Sequence, residues 1–351
     1  MPTATSPTVR RAACATIAAL CATAYGQDTL PATTLAALKD ATVYIRVALP
    51  KGAGSGSGFV VKTSGDVAHI VTNRHVVLPE GADPAKVRHQ VVFHPGTPKE
   101  QPVEAQLVAV EPKRDLAVLR VAGAKDLPKP LEVNKRVTVS ETMNVFILGF
   151  PFGQSLATTK GAPSVTVNKG SVSSVRLDEA GKPAVVQIDG SINPGNSGGP
   201  ILDRTGGLVG VSVATIKGAG IGLAIPREHV LDMLAGRVLG ARFEPKGVAK
   251  GQAEIGVEAV LIDPLAKIRS VTMLYVPADA VKEPIRPGKD GAWPRLPGAR
   301  TLTLAVKEQL AAGSIKVPAA DKTATPDLVV QFGHVGSDGR TVYTAPWLRK
   351  F

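Results

Sequence analysis

The chain has 351 residues and a formal net charge of +12, from 41 Lys and Arg against 29 Asp and Glu. Apolar residues make up 44% and charged residues 20%, which excludes a disordered tail and allows a sizeable core. Aromatics are only 4% and the basic residues are scattered, so the charge reads as a solvated basic surface and no nucleic-acid partner is expected.

The chain starts with a segment that does not read as part of a fold. Arg10 and Arg11 lead into the Ala-rich apolar stretch Ala12–Ala24, and Ala22-Thr23-Ala24 and Ala24-Tyr25-Gly26 offer small residues at cleavage spacing. This is the pattern of a secretory signal peptide over residues 1–26, which predicts export to a periplasmic or extracellular space. A lipid anchor at Cys21 is the competing reading, disfavoured by the bulky Leu20 just before it. The 2 cysteines, Cys14 and Cys21, both lie in this segment. The cleaved chain would then hold no thiol nucleophile, no Cys-ligated zinc and no disulfide. No apolar run reaches the ~20 residues of a membrane span, so no stable span is expected.

A short helical pattern covers Pro31–Asp40. From Val43 the text becomes β: short Val- and Ile-rich runs alternate with Gly, Pro and Asp turns, among them Val43–Leu49, Ala68–Thr72, Leu116–Val121, Met143–Leu148, Leu208–Thr215 and Ile221–Ile225. They predict one large antiparallel domain or two small barrels, closed by a helix over Glu228–Leu234. This first β domain is placed at 27–240. The Gly- and Lys-rich stretch around 241–253 reads as a linker. Six or seven further runs in 254–351, with a hairpin turn at Ser337-Asp338-Gly339-Arg340, predict a small Ig-like β-sandwich, and Trp347 is expected to pack on it. The fold class is therefore all-β.

Three strings carry chemistry. In Asn193-Pro194-Gly195-Asn196-Ser197-Gly198-Gly199-Pro200, glycines on both sides of a serine allow a tight turn with an exposed hydroxyl and backbone amides aimed at a developing oxyanion. In His69-Ile70-Val71-Thr72-Asn73-Arg74-His75, a β run ends three residues before a histidine, so His75 would be held on a rigid strand end. In Arg114-Asp115-Leu116-Ala117-Val118-Leu119, an Asp stands directly before an apolar strand, where a half-buried carboxylate needs a partner such as the His75 N–H. Each string alone has a bland reading: an idle serine, a structural histidine, a turn-forming Asp. Together they give the order His, Asp, Ser at spacings of 40 and 82 residues.

In that order the chain resembles the trypsin-like serine proteases, nearest their HtrA/Deg branch. Further matching strings are Gly54-Ser55-Gly56-Ser57-Gly58-Phe59, Leu148-Gly149-Phe150-Pro151-Phe152-Gly153 and Ile221-Gly222-Leu223-Ala224-Ile225-Pro226, and Asn196 before the serine points to the same branch. The resemblance covers roughly residues 30–236. It implies two six-stranded β-barrels with the site in the cleft between them. It implies Ser197 as nucleophile, His75 as base and Asp115 as its orienter, with an oxyanion hole in the loop Gly195-Asn196-Ser197 whose amides at Gly195 and Ser197 are the donors. It also implies a primary pocket with Ser191 at its base and Val213, Ala214, Thr215, Ile221, Gly222 and Leu223 along its walls, which favours a small to medium aliphatic residue before the scissile bond. The family's PDZ domains are not readable after Gly251.

The function expected is an exported serine endopeptidase acting on proteins or peptides in extracytoplasmic quality control. The alternatives are a catalytically silent protease-fold binding protein, or an adhesive scaffold acting through its C-terminal β domain. No cofactor and no metal site is expected: the histidines lack a paired spacing and no acidic calcium loop occurs. The sequence sets no oligomeric state.

Overall fold

The computed structural model describes residues 29–216, 221–320 and 324–351. The expected signal peptide and both cysteines lie outside them. Helix α1 (Ala32–Ala41) runs directly into β1 (Thr42–Ala48), with the Thr42 hydroxyl donating to the Leu38 carbonyl at 2.8 Å. Strands β2 (Ala53–Ser64), β3 (Val67–Asn73), β4 (Arg88–Phe93), β5 (Gln101–Glu111) and β6 (Leu116–Val121) close with β1 into a barrel of order β1-β2-β3-β6-β5-β4. Its inside is filled by Val43, Ile45, Ile70, Val91, Phe93 and Leu119, each without solvent exposure. The β-branched residues that mark these strands in the sequence are the ones that pack on a pleated, buried face.

A second barrel follows from β7 (Asn144–Gly149), β8 (Thr166–Leu177), β9 (Pro183–Asp189), β10 (Pro200–Leu202), β11 (Leu208–Ile216) and β12 (Ile221–Pro226), in the order β10-β11-β12-β9-β8-β7. Between the barrels lies a shared core: Phe59, Val71 and Leu116 of the first meet Phe146, Leu148 and Val211 of the second. Helix α3 (Arg227–Ala235) seals this core with Val230, Met233 and Leu234, as the closing-helix reading expects. Burying each such side chain contributes about 1.5–3 kcal/mol. The barrels are therefore docked by apolar burial, and whatever sits in the cleft between them is held by that docking.

The small β domain expected after the barrels is present. It is one continuous eight-stranded antiparallel sheet rather than two detached ones, in the order β13-β14-β17-β16-β15-β18-β19, with β20 also on β18. The strands are β13 (Arg237–Ala249), β14 (Gln252–Ile262), β15 (Ser270–Pro277), β16 (Arg300–Lys307), β17 (Leu310–Pro318), β18 (Leu328–Val335), β19 (Thr341–Tyr343) and β20 (Trp347–Arg349). Strand β16 turns the corner: Arg300–Leu304 pair with β15, while Ala305–Lys307 pair with β17. The two halves fold onto one core, where Phe243 of β13 meets Phe332 of β18 at 6.4 Å between ring centres and Trp347 stacks on Phe332 at 5.6 Å.

The stretch 241–253 corrects the linker reading. It is most of β13, the turn, and the first two residues of β14, and β13 as a whole pairs with β14 at eleven positions. The misreading has a physical cause. As an edge strand, β13 carries Pro245 and Lys246, has irregular register at Val238/Gly240 and Pro245/Gly247, and faces solvent over much of its length. Such a strand has no clean alternation for sequence reading to find. Its neighbour β14 does alternate, burying Ala253, Ile255, Val257, Ala259 and Leu261. Among the described residues no helix is long and apolar enough to cross a membrane.

Candidate active site

Strand β3 ends at Asn73, and the single-turn helix α2 (Arg74–Val77) follows without a break. His75 is thus fixed two residues past the first barrel's wall. Asp115 sits between the short 3-10 turn Pro112–Arg114 and β6, in the left-handed region at φ +50°. That conformation is uncommon for a residue with a Cβ and persists where surrounding bonds impose it. Here the Asp115 carbonyl accepts from the Arg74 N–H and from Asn73 Nδ2, each at 3.0 Å. Its carboxylate then meets His75 twice: Oδ1 accepts from the His75 backbone N–H at 2.9 Å, and Oδ2 lies 2.7 Å from Nδ1. The His75 side chain remains 46% exposed.

The remaining histidines are accounted for differently. His94 also pairs with a carboxylate, with Nδ1 2.6 Å from Asp40 Oδ1, but its Nε2 is tied to the Asp126 carbonyl at 2.8 Å. Both ring nitrogens are engaged, which leaves none for a substrate. His89 Nε2 is bonded to the Val77 carbonyl at 2.7 Å. Burial pushes His69 down to about 4, with Lys62 and Arg120 adding to the shift, and burial also lowers His229 and His334. His75 is the one in a setting fit for a base.

The serine loop is built from both barrels. Gly195 and Gly198 have φ of +98° and +85°, where a side chain is strained, and neither has room for one. A Cβ on Gly195 would stand 2.2 Å from the Phe150 carbonyl oxygen, and one on Gly198 2.2 Å from the Ser57 oxygen and 2.3 Å from Thr72 Oγ1. Ser57 of β2 reaches across the cleft: its N–H donates to the Ser197 carbonyl at 2.9 Å and its hydroxyl to the Gly195 carbonyl at 2.6 Å. The Phe152 N–H braces the other flank on the Pro194 carbonyl at 2.7 Å. The Gly-Ser-Gly-Ser-Gly and Gly-Phe-Pro-Phe-Gly strings singled out in the sequence are therefore the two walls that shape this loop.

Within the loop, the Asn196 N–H donates to Asn193 at 3.0 Å. The N–H groups of Gly195 and Ser197 have no partner among the described residues, so of the three candidate oxyanion residues these two amides are left for a ligand. The Ser197 hydroxyl donates to the Val213 carbonyl at 2.7 Å, and no bond joins it to His75. His75 and Asp115 are thus brought together as expected, while the serine hydroxyl is turned toward β11.

Of the expected pocket residues, Ser191 is exposed, and its carbonyl accepts from Asn168 Nδ2 at 3.1 Å. Along β11, Val213 sits at a register shift, while Ala214 and Thr215 pair with Leu223 and Gly222 of β12, and Ile221 pairs with Ile216. The residue that fills this corner was not among those expected: Ile192, 3% exposed, lies over Gly222 so closely that a Cβ there would meet its Cδ1 at 2.6 Å. Its only sequence signal was an apolar residue between two polar ones, directly before the serine string. Among the described residues no cluster of three His, Cys, Asp or Glu stands close enough to hold a metal ion.

Fold and site together define a chymotrypsin-type double barrel, and residues 56–211 match the family model described as trypsin-like peptidase domain. Its relatives are serine proteases of the Do-like kind. Protease Do-like 1, chloroplastic, of Arabidopsis thaliana is 34% identical over 247 residues, which are 66% of this chain and 51% of that one. A probable periplasmic serine endoprotease, DegP-like, of Chlamydia muridarum is 32% identical over 217 residues, 60% of this chain and 37% of that one. The chain thus spans about half or less of these relatives' length. The serine endoprotease structure from Yersinia pestis aligns at 27% identity with a TM-score of 0.44, covering 57% of this chain and 65% of that one.

Proposed function

We propose that the protein is an exported serine endopeptidase that cleaves proteins or peptides through His75, Asp115 and Ser197, in extracytoplasmic protein quality control. The observation that carries this reading is the doubly bonded His75–Asp115 pair beside a glycine-bounded serine flanked by two unpartnered amides. The sequence of events follows from the groups. Ser197 Oγ attacks the scissile carbonyl carbon, and its proton passes to His75 Nε2. Asp115 holds the other ring proton on Nδ1 and stabilises the imidazolium. The carbonyl oxygen, now negative, takes the N–H groups of Gly195 and Ser197; losing one such donor costs about 3–4 kcal/mol of transition-state stabilisation. His75 then gives its proton to the leaving amine, and water repeats the steps on the acyl-enzyme. The step that precedes all of these is a turn of the Ser197 hydroxyl from Val213 toward His75, and catalytic bonds of this kind commonly tighten only when substrate binds. The Arg-led apolar segment and the periplasmic naming of the Chlamydia relative support export.

The test is covalent labelling of the full chain by a fluorophosphonate probe. Wild type is expected to label and Ser197→Ala not to. A second reading, a protease fold kept for binding, is favoured by the Ser197–Val213 hydrogen bond. It predicts a folded wild type that never labels, with or without peptide present.

Specificity follows from Ile192. With its side chain over Gly222, the pocket takes a small to medium aliphatic group. Ile192→Ala opens that corner by about three carbons. Preference in kcat/KM is expected to move about tenfold or more toward Leu or Phe over Val before the scissile bond, since each methylene in such a pocket is worth about 1–3 kcal/mol. An unchanged cleavage profile over a peptide library would remove Ile192 from the pocket.

A further inference from the structure

Asp115 is held on its inner side by Asn73, Arg74 and His75. On its outer side the segment that delivers it is gripped twice by the elements leading into the C-terminal sheet. Glu111, the last residue of β5, is 1% exposed, and its Oε2 is bonded to Arg237 Nη2, on the first residue of β13. Arg114, next to Asp115, bonds through Nη1 to Asp232 Oδ2 of α3 at 2.9 Å. The two grips differ in kind. The Arg114 pair has side chains 33% and 57% exposed, where water screens it and little rigidity follows. The Glu111 pair is buried on the carboxylate side, where breaking it strands a charge. Glu111 Oε1 and Arg237 Nε are also buried and unpartnered among the described residues, so no neighbouring group stands ready to replace either partner.

We propose that Glu111 and Arg237 are positioning residues for Asp115: the first strand of the C-terminal sheet holds the five-residue segment 111–115 in the one path that keeps the Asp115 carboxylate on His75. The proposal rests on the protease reading and deepens it, by giving the C-terminal sheet a part in the protease site. A left-handed residue between a 3-10 turn and a strand relaxes when its support is removed, because nothing in its own conformation favours the strained state. Glu111 is paired with Leu116 at the open end of the β5–β6 ladder, so the segment between them leaves and re-enters the barrel at the point this pair grips. Release of Glu111 therefore acts on Asp115 rather than on the serine loop.

The test uses the full chain and two readouts. One is the rate of fluorophosphonate acylation against pH; the other is the low-field NMR proton shared by His75 and Asp115, read in the Ser197→Ala background so that it needs no reaction. Arg237→Met is expected to slow acylation at least tenfold, to move the acid limb of the profile to lower pH as the imidazolium loses its carboxylate, and to abolish the low-field proton. Arg237→Lys is expected to return most of the rate. The double variant Glu111→Met, Arg237→Met removes the stranded charge and guards against a mere folding defect; it is expected to fold and to stay slow. Glu254→Gln loosens only the exposed pairs of that carboxylate with Lys246 and Lys316 at 3.8 Å in the same sheet, and is expected to change nothing. A double variant with wild-type rate, limb and low-field proton overturns the proposal, because the pair would then only neutralise itself. A wild type that shows the proton but does not label counts against the protease reading alone.

Discussion

Replacing Asp115 by Asn is expected to lower kcat about 10⁴-fold near neutral pH with KM within about twofold. The carboxylate accepts two hydrogens from one residue, the His75 backbone N–H at 2.9 Å and the ring Nδ1–H at 2.7 Å. An amide offers one acceptor and one donor. With its oxygen left on the backbone N–H, its NH2 faces Nδ1 and can bond only to the unprotonated nitrogen. The ring proton is then forced onto Nε2, where the serine proton must go, and His75 becomes a donor where a base is needed. The fold has no reason to change, because shape and most bonds are kept. The measurement is turnover of a chromogenic peptide beside a urea midpoint. A loss under tenfold with the midpoint unchanged would remove Asp115 from the mechanism.

The second large effect is expected at Gly198. Gly198→Ala places a methyl group 2.2 Å from the Ser57 oxygen, 2.3 Å from Thr72 Oγ1 and 3.1 Å from the Asn73 nitrogen. None of the three is the end of a flexible chain. Thr72 Oγ1 donates to that same Ser57 oxygen at 2.8 Å, and both residues are fully buried barrel strand. The loop must yield instead, and with it the Ser57–Ser197 bond that fixes Ser197. Labelling is expected to vanish, and stability to fall by about 3 kcal/mol from the crowding and the left-handed strain. Gly52→Ala is the matched comparison: it shares a positive φ, +94°, but has nothing within 4 Å. It is expected to cost only about 1–2 kcal/mol and to keep labelling. Equal labelling in the two variants would show that the serine loop tolerates displacement.

Much of this architecture was legible because it depends on local text. The barrel strands announce themselves through Val and Ile on buried faces, and the three site strings sit where strand ends and glycine turns put them. The parts that were not legible depend on partners distant in the chain. Edge strand β13 has apolar residues but no regular alternation to signal it, and it accommodates Pro245 and two register shifts without losing its pairing. Ile192 is specified by Gly222, thirty residues on, and Glu111 by Arg237, which only the docking of sheet against barrel brings together. The aim of the Ser197 hydroxyl is a single torsion, and composition carries no information about a torsion.

The Ser57 bridge has a bearing on how the molecule fails. His75 and Asp115 belong to one barrel and Ser197 to the other, and the bonds of Ser57 to Ser197 and Gly195 are among those that stitch the seam. Under the proposed mechanism, neither half possesses a working part of the chemistry on its own. Reactivity of the serine is thus a gauge of the seam rather than of the strands: if heat or denaturant parts the barrels by an ångström or two, the probe falls silent while the ladders within each barrel, and the signals that report them, are still intact.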